Sequence, residues 1–398
     1  MTILQVTHQF PFPPDRGGRI GIFNFTKYYK SNGHTVILVS MVHHNEKYDK
    51  KILDFCDKFY PFPVDARNRI GTALKNIFSS IPFNIYKYHK SAFLRVIDQA
   101  IRENNIDVVH IDHLHVAYCG IYIKNKYNLP IVLREHNIET EIMHRYSVEE
   151  KSIVKKIYAR VQYNKLRHYE PKICEEYNYC FCVTERDVDN LRLLNNKINA
   201  KYIPAGVDMS VYRFGTRELR SANVILSLCA LNWLPNVYGL EWFVKNVFPL
   251  VRQKNPLSEL WIAGKGDHQN RIQQLCANTT GVKFIGYVED DVALFHQVQV
   301  LIIPLFSGGG VRIKALNAFA TGTPIVSTSI GIEGIPVNDG IECCIANDAL
   351  RYSESILKLM ESKEYFDFIT KKAFIMVQYY EWSSIVQRQI NFMKELLK

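Results

Sequence analysis

Residues 304–328 read PLFSGGGVRIKALNAFATGTPIVST, with Gly308, Gly309 and Gly310 directly ahead of Arg312 and Lys314. The apolar spacing that follows predicts a helix starting near Val311. A helix N-terminus already carries partial positive charge, so each added cation there costs roughly 0.3–1 kcal/mol unless an anion arrives. Three features converge on that anion. Glycines let the backbone approach a ligand closely, the first helical turn offers unpaired N–H groups, and Arg and Lys bring a planar fork and a point charge. A diphosphate fits all three, and a glycine turn with solvated cations is the plainer alternative.

Other chemistries find little support. GKGD at 264–267 lacks the full GxGxxG and follows the wrong strand for a dinucleotide fingerprint, and no GxxxxGK[ST] occurs. The nine cysteines include no CxxC pair and no His/Cys metal spacing, so they read as reduced core thiols and no metal is expected. His110, His113, His115 and His136 fall at or just past strand ends, as do Glu135 and Asn137 of REHNIE, where polar side chains line ligand clefts.

The elements that must hold these residues alternate strand and helix. ILQVT, a loop through Gly17 and Gly18, a helix and TVILVS make a βαβ unit, and DVVHI and PIVLRE extend a buried parallel sheet. After a polar stretch from Tyr212 to Asn223, read as linking domains, the alternation restarts with NVILSL, LWIAG, VKFIGYV, VQVLIIPL, PIVST and ECCIAN. The expected architecture is α/β, with two Rossmann-like doubly wound domains facing across a cleft. Their expected extents are 1–205 and 206–376, with 377–398 as a helix returning to the first domain.

Composition bounds the rest. The 398 residues exceed one ordinary core, and 47% hydrophobic with 22% charged residues is globular. No apolar run approaches the ~20 residues of a membrane span, and Met1 leads straight into a strand without a signal-peptide pattern, so the expected location is cytoplasmic. The +10 charge concentrates in two stretches. From Arg67 to Asn104 and from Lys151 to Lys172, Lys and Arg far outnumber acids. Leu74, Ile77, Phe78, Phe93, Leu94 and Ile97 in the first, and Ile153, Ile157, Val161 and Leu166 in the second, recur at helical spacing. Such stretches either lie on an anionic membrane or turn an apolar face to the core. No nucleic-acid module is recognisable.

The segment from Pro304 to Thr328 resembles the donor site of glycosyltransferase family 4, retaining enzymes of the GT-B fold, in the subgroup with GGGxRxK. HQFPFPPDRGG, SNGHTVILVS, LREHNIE, VTERD, IPAGVD, LNWLPN, WIAGKG, FIGYVED and GIEG follow in the family's order over nearly the whole chain. The resemblance implies that the C-terminal domain binds a nucleotide diphosphate sugar as co-substrate, without cofactor or metal, and that the N-terminal domain binds a lipid-linked or polysaccharide acceptor. Arg312 and Lys314 would stabilise the departing diphosphate, and His113 would touch the sugar. Gly17, Gly18, Asn236, Gly264, Tyr287, Val288 and Gly308 to Gly310 would surround the donor, while Glu135, His136 and Asn137 would meet acceptor or sugar. Two family glutamates are replaced here by Gly309 and Asn317. Asn317 can still accept a ribose hydroxyl, but without charge. The implied activity is sugar transfer in surface glycan assembly at the membrane's inner face. Asn317 keeps open a binding protein without turnover, and another GT-B enzyme such as a sugar-nucleotide 2-epimerase is the third reading.

Overall fold

The structure, a computed structural model, describes every residue except Asp15, Arg16, Asn45, Lys47 and the side chain of Leu219. Asp15 and Arg16, within the first glycine loop, are thus outside the described residues. Two compact units are present: Met1–Ala205 with Trp382–Lys398, and Gly206–Glu381.

The first unit is built on a seven-stranded parallel sheet of β1 (Thr2–Thr7), β2 (Thr35–His43), β3 (Lys58–Val64), β4 (Val108–Asp112), β5 (Ile131–Glu135), β6 (Tyr179–Cys182) and β7 (Ala200–Tyr202), in the order β3-β2-β1-β4-β5-β6-β7. Ile3, Leu4, Val6, Val109 and Ile111 are fully buried, as runs of β-branched and aliphatic residues covered on both faces must be. Thr7 pairs with Ser40 on one side and Asp112 on the other, so the carboxyl ends of β1 and β4 lie level while β2 runs on to His43. The chain reverses its direction of travel across the sheet between β1 and β4, the switch point where open α/β sheets bind ligands.

The second unit repeats the plan with β8 (Val224–Leu228), β9 (Glu259–Ala263), β10 (Val282–Gly286), β11 (Val300–Ile303), β12 (Ile325–Ser327) and β13 (Cys344–Ile345), ordered β10-β9-β8-β11-β12-β13 and parallel throughout. Its switch point falls between β8 and β11. Both sheets are the Rossmann-like α/β architecture expected from the alternation.

The sequence reading omits β3, β6 and β7. Pro61 and Pro63 argue against a central strand, and β3 is in fact the sheet's edge, where missing N–H donors are tolerated. The stretch from Tyr212 to Asn223 is no free linker. Arg220 is buried and donates to the carbonyls of Val298 and Thr321 and to Thr323 Oγ1, which fixes it to the second unit. The helix Trp382–Glu395 belongs to the first unit. Trp382 packs edge-on against Phe25, and Gln389 Nε2 donates to Tyr29 Oη at 2.5 Å.

The two basic amphipathic stretches divide between their two readings. Phe93, Ile97 and Leu166 enter the core, whereas Leu74, Ile77, Phe78, Ile153 and Ile157 stay exposed. All nine cysteines are free thiols, eight of them buried. No helix among the described residues is long and apolar enough to cross a membrane.

Candidate active site

In the second unit the glycine segment leaves the carboxyl end of β11 and enters the helix Ile313–Ala320, two residues later than the periodicity predicts. The delay has a backbone cause: Gly308 and Gly310 take φ of +108° and +86°, and Arg312 caps the helix in an extended conformation. A Cβ at Gly308 would stand 2.4 Å from the Trp233 ring, so only glycine fits beneath that indole. No side chain caps the helix.

Arg312 folds back over its own loop. Nη1 donates to the carbonyls of Gly309 and Gly310 at 2.5 and 2.9 Å, and the guanidinium carbon lies 5.1 Å from the Trp233 ring. Nε and Nη2 are buried and have no hydrogen-bond partner among the described residues. Lys314 Nζ donates to Leu228 O at 2.7 Å, at the end of β8. Burial pulls Arg312 down to about 10, with Glu333 opposing, and Lys314 down to about 8. Two cations are thus desolvated side by side at a helix N-terminus, and each lowers its cost when an anion arrives.

The neighbouring loops close around this point. Gly264, at φ +149°, leaves the space a Cβ would take 1.9 Å from Cys229 O, and its N–H donates to Gly286 O. Its role is backbone proximity between the β8 and β9 turns. Asn236 does not cap its helix, which Trp233 precedes; its Nδ2 donates to Ala230 O and holds the β8 turn. Tyr287 is exposed at the end of β10 under Lys265 Nζ, 3.7 Å from the ring centroid, and Val288 beside it is partly buried. Asn317 is buried in the helix beside the Asp291 carboxyl, which accepts from Tyr212 Oη at 2.9 Å. Burial raises Asp291.

In the first unit the structure collects five histidines near one carboxylate. Asp112, fully buried at the end of β4, accepts from His136 Nε2 at 2.6 Å on Oδ1, and His113 Nδ1 lies 3.0 Å from the same oxygen. The His113 and His136 rings stack at 3.6 Å, 12° from parallel. His8 meets His113 edge-on and stacks on His115, while His110 lies beneath against Tyr29. Burial takes His113 to about 3 and also lowers His8 and His115, so these rings are neutral at pH 7. Burial alone would raise Asp112, but His136 and His113 hold it well below the ordinary carboxylate range.

His113 sits at φ +79°, a conformation that a non-glycine residue keeps only where its surroundings enforce it. Asp112, His113 and His136 are the one grouping with metal-ligand atoms close together among the described residues. Imidazole lone pairs lie in the ring plane, and two rings stacked face to face share no plane in which one ion could sit. The group is a carboxylate-held imidazole pair. Gly17 and Gly18, expected in a loop, instead open the helix Gly17–Ser31, where a Cβ at Gly18 would lie 3.4 Å from His113 Nε2 and one at Gly21 would lie 2.8 Å from His136. Gly21 makes room for His136, while a Cβ at Gly18 would meet Gln9 Nε2 first, at 2.7 Å.

One expected contact is not met. Glu135 is buried, accepts from the Cys174 thiol at 3.5 Å, and is held well above the carboxylate range by burial and by Glu170, so it faces the core. Its neighbours His136 and Asn137, one and two residues past the strand, are partly exposed. Asp112, His8, Trp233 and Asp291 were not singled out from sequence. The HIDHLH run does carry Asp112 at a strand end, but an alternating strand gives no sign of which residue turns inward.

Comparisons with known proteins bear on the family and the fold. Residues 16–211 match the family model described as Glycosyltransferase Family 4, and residues 222–362 match that for Glycosyl transferases group 1. An uncharacterized 44.6 kDa protein in the cps region of Klebsiella pneumoniae is 23% identical, over 94% of this chain and 95% of its own. Sucrose-phosphate synthase from Thermosynechococcus elongatus superposes with a TM-score of 0.74 at 13% identity, covering 100% of this chain and 99% of that one. Anabaena Alr3699/HepE in complex with UDP-glucose gives a TM-score of 0.69 at 13% identity, over 99% and 100% of the two chains.

Proposed function

The chain belongs to the family 4 glycosyltransferases of the GT-B fold, and from that premise we propose that it is a retaining enzyme moving a sugar from a nucleotide diphosphate to a lipid-linked or polysaccharide acceptor. The observation that carries the donor assignment is Arg312: two guanidinium nitrogens, Nε and Nη2, buried and unpartnered among the described residues, at an uncapped helix N-terminus behind three glycines. A diphosphate supplies the missing acceptors for Arg312, the charge Lys314 lacks, and a partner for the free N–H groups of the first turn. The same contacts strengthen as the sugar–phosphate bond breaks and negative charge grows on the leaving diphosphate, which is catalysis by preorganised electrostatics. The acceptor hydroxyl attacks from the face the diphosphate leaves and passes its proton to a phosphate oxygen. This scheme asks for no metal and no cofactor.

Tyr287 and Val288 frame the base, and the Asn317–Asp291 pair meets the ribose. The carboxylate beside Asn317 supports turnover over mere binding, because the acceptor charge missing at 317 stands next to it on Asp291. His113, neutral, and His136, both held against Asp112, contact the sugar or acceptor. The relative from a cps region supports surface glycan assembly, with the enzyme in the cytoplasm or on the membrane's inner face. The test is nucleotide release from a panel of nucleotide sugars with and without lipid-linked acceptor, with the product's anomeric configuration read by NMR. Acceptor-dependent release with retention supports the proposal; epimer formation without acceptor, or transfer seen only after Asn317→Glu, refutes it.

A further inference from the structure

The exposed parts of the two basic stretches belong to one substructure. The helix Ile70–Ile77 carries Ile70, Leu74, Ile77 and Phe78 at i, i+4, i+7 and i+8, a single helical face. That face is turned out: Ile70 is 82% and Phe78 94% exposed. The other side of the helix is fixed to the helix Ile153–Glu175, where Gln162 Nε2 donates to Asn76 Oδ1 and Lys165 Nζ to Asn76 O. Asn76 is fully buried, so this side, and not the apolar one, is the packed side. About 12–18 Å along the same long helix from Lys165, its first turns expose Ile153 (75%), Val154 (78%) and Ile157, next to Tyr146 and Val148 of the helix Glu139–Glu149.

The charge around these residues is mainly positive, with Glu149 and Glu150 the acids that adjoin Val148 and Lys151. From Lys151 to Tyr169 there are six cations, Lys151, Lys155, Lys156, Arg160, Lys165 and Arg167, and no acid. Between Ala66 and Ile97 the chain again carries no acid, while Asp65 is occupied by Arg67 and Arg69. Large apolar side chains left in water cost free energy that a covering surface recovers. A second copy of the chain is a poor cover, because a two-fold contact sets this basic face against itself. A surface both apolar beneath and anionic at its rim complements it.

We propose that this face docks on an anionic lipid bilayer, with Phe78, Ile70 and Leu74 in the acyl boundary and the lysines among the headgroups. The proposal deepens the location given above and rests on that reading only for its purpose, since no donor-site residue takes part. The test is flotation with vesicles of phosphatidylcholine alone or mixed with phosphatidylglycerol. The wild-type protein should float with the mixed vesicles at moderate salt and be released at high salt. Ile70→Ser with Phe78→Ser, and separately Lys151→Glu with Lys155→Glu, should each weaken binding by about tenfold or more, with an unchanged circular-dichroism spectrum and melting temperature as the control for folding. Flotation unchanged in both variants, no flotation at all, or a dimer in light scattering that Phe78→Ser abolishes would each overturn it. Nucleotide binding is read separately, so failure here leaves the transferase assignment standing.

Discussion

Lys314 offers the sharpest pH test of the donor site. Burial holds its ammonium at about 8, and the structure supplies only Leu228 O as a partner. A bound diphosphate favours the charged form, so binding is linked to proton uptake. If the ammonium form is the one that binds, affinity follows its population: about 0.9 at pH 7 and about 0.1 at pH 9. The expected loss is about tenfold, or ~1.4 kcal/mol. Calorimetry at pH 8 in two buffers of different ionisation enthalpy should show uptake of about half a proton. Lys314→Arg stays charged throughout and should bind with little change between pH 7 and 9, which also reports any titration of the nucleotide itself. A wild-type affinity that is flat over that range, or an equal loss in Lys314→Arg, contradicts the burial argument. The sign for stability runs the other way. The folded value lies below the ordinary 10.5, so the unliganded fold binds fewer protons than the unfolded chain, and stability rises as pH climbs from about 8 to 10.5.

Further outcomes follow from packing. Gly308→Ala places a methyl 2.4 Å from the Trp233 ring at φ +108°, and should lower the stability of the second unit by about 1–3 kcal/mol in denaturant unfolding and weaken nucleotide binding. Trp382→Ala, at a fully buried site against Phe25, should cost about 3–5 kcal/mol, read as a lower melting temperature of the first unit. Glu135→Gln replaces a buried carboxyl whose uncharged form burial favours, and should change stability by less than about 1 kcal/mol while leaving nucleotide release within about twofold of wild type; a large loss of release restores Glu135 to the site.

How much of this was legible in the chain depends on what each residue answers to. The ten strands read from sequence are long apolar runs bounded by turn residues, a local signal. β3 was hidden because its two prolines are acceptable only at a sheet edge, and edge position is set by the whole topology. Gly308 to Gly310, Arg312 and Lys314 are adjacent in sequence, so their convergence was visible there. Asp112 with His113 and His136 was half visible: the strand ends located them, but ring stacking and a shared carboxylate oxygen depend on β4 and β5 lying side by side. Glu135 was misassigned for a related reason. Adjacent residues of a strand point to opposite faces, and only the structure shows which face meets the long helix carrying Glu170 and Cys174. Asp291 could not be paired with Asn317, because nothing local links a helix start to a residue 26 positions later.

The central claim is that the glycine segment is a diphosphate site, and calorimetric titration of UDP, GDP, dTDP and ADP into the wild-type protein and Arg312→Ala at fixed moderate salt tests it most directly. One nucleotide should bind, and the substitution should weaken it by about 1.5–3 kcal/mol, the worth of a charged hydrogen bond lost from a buried guanidinium. Equal affinity in the two proteins, or no binding of any nucleotide, would contradict the account.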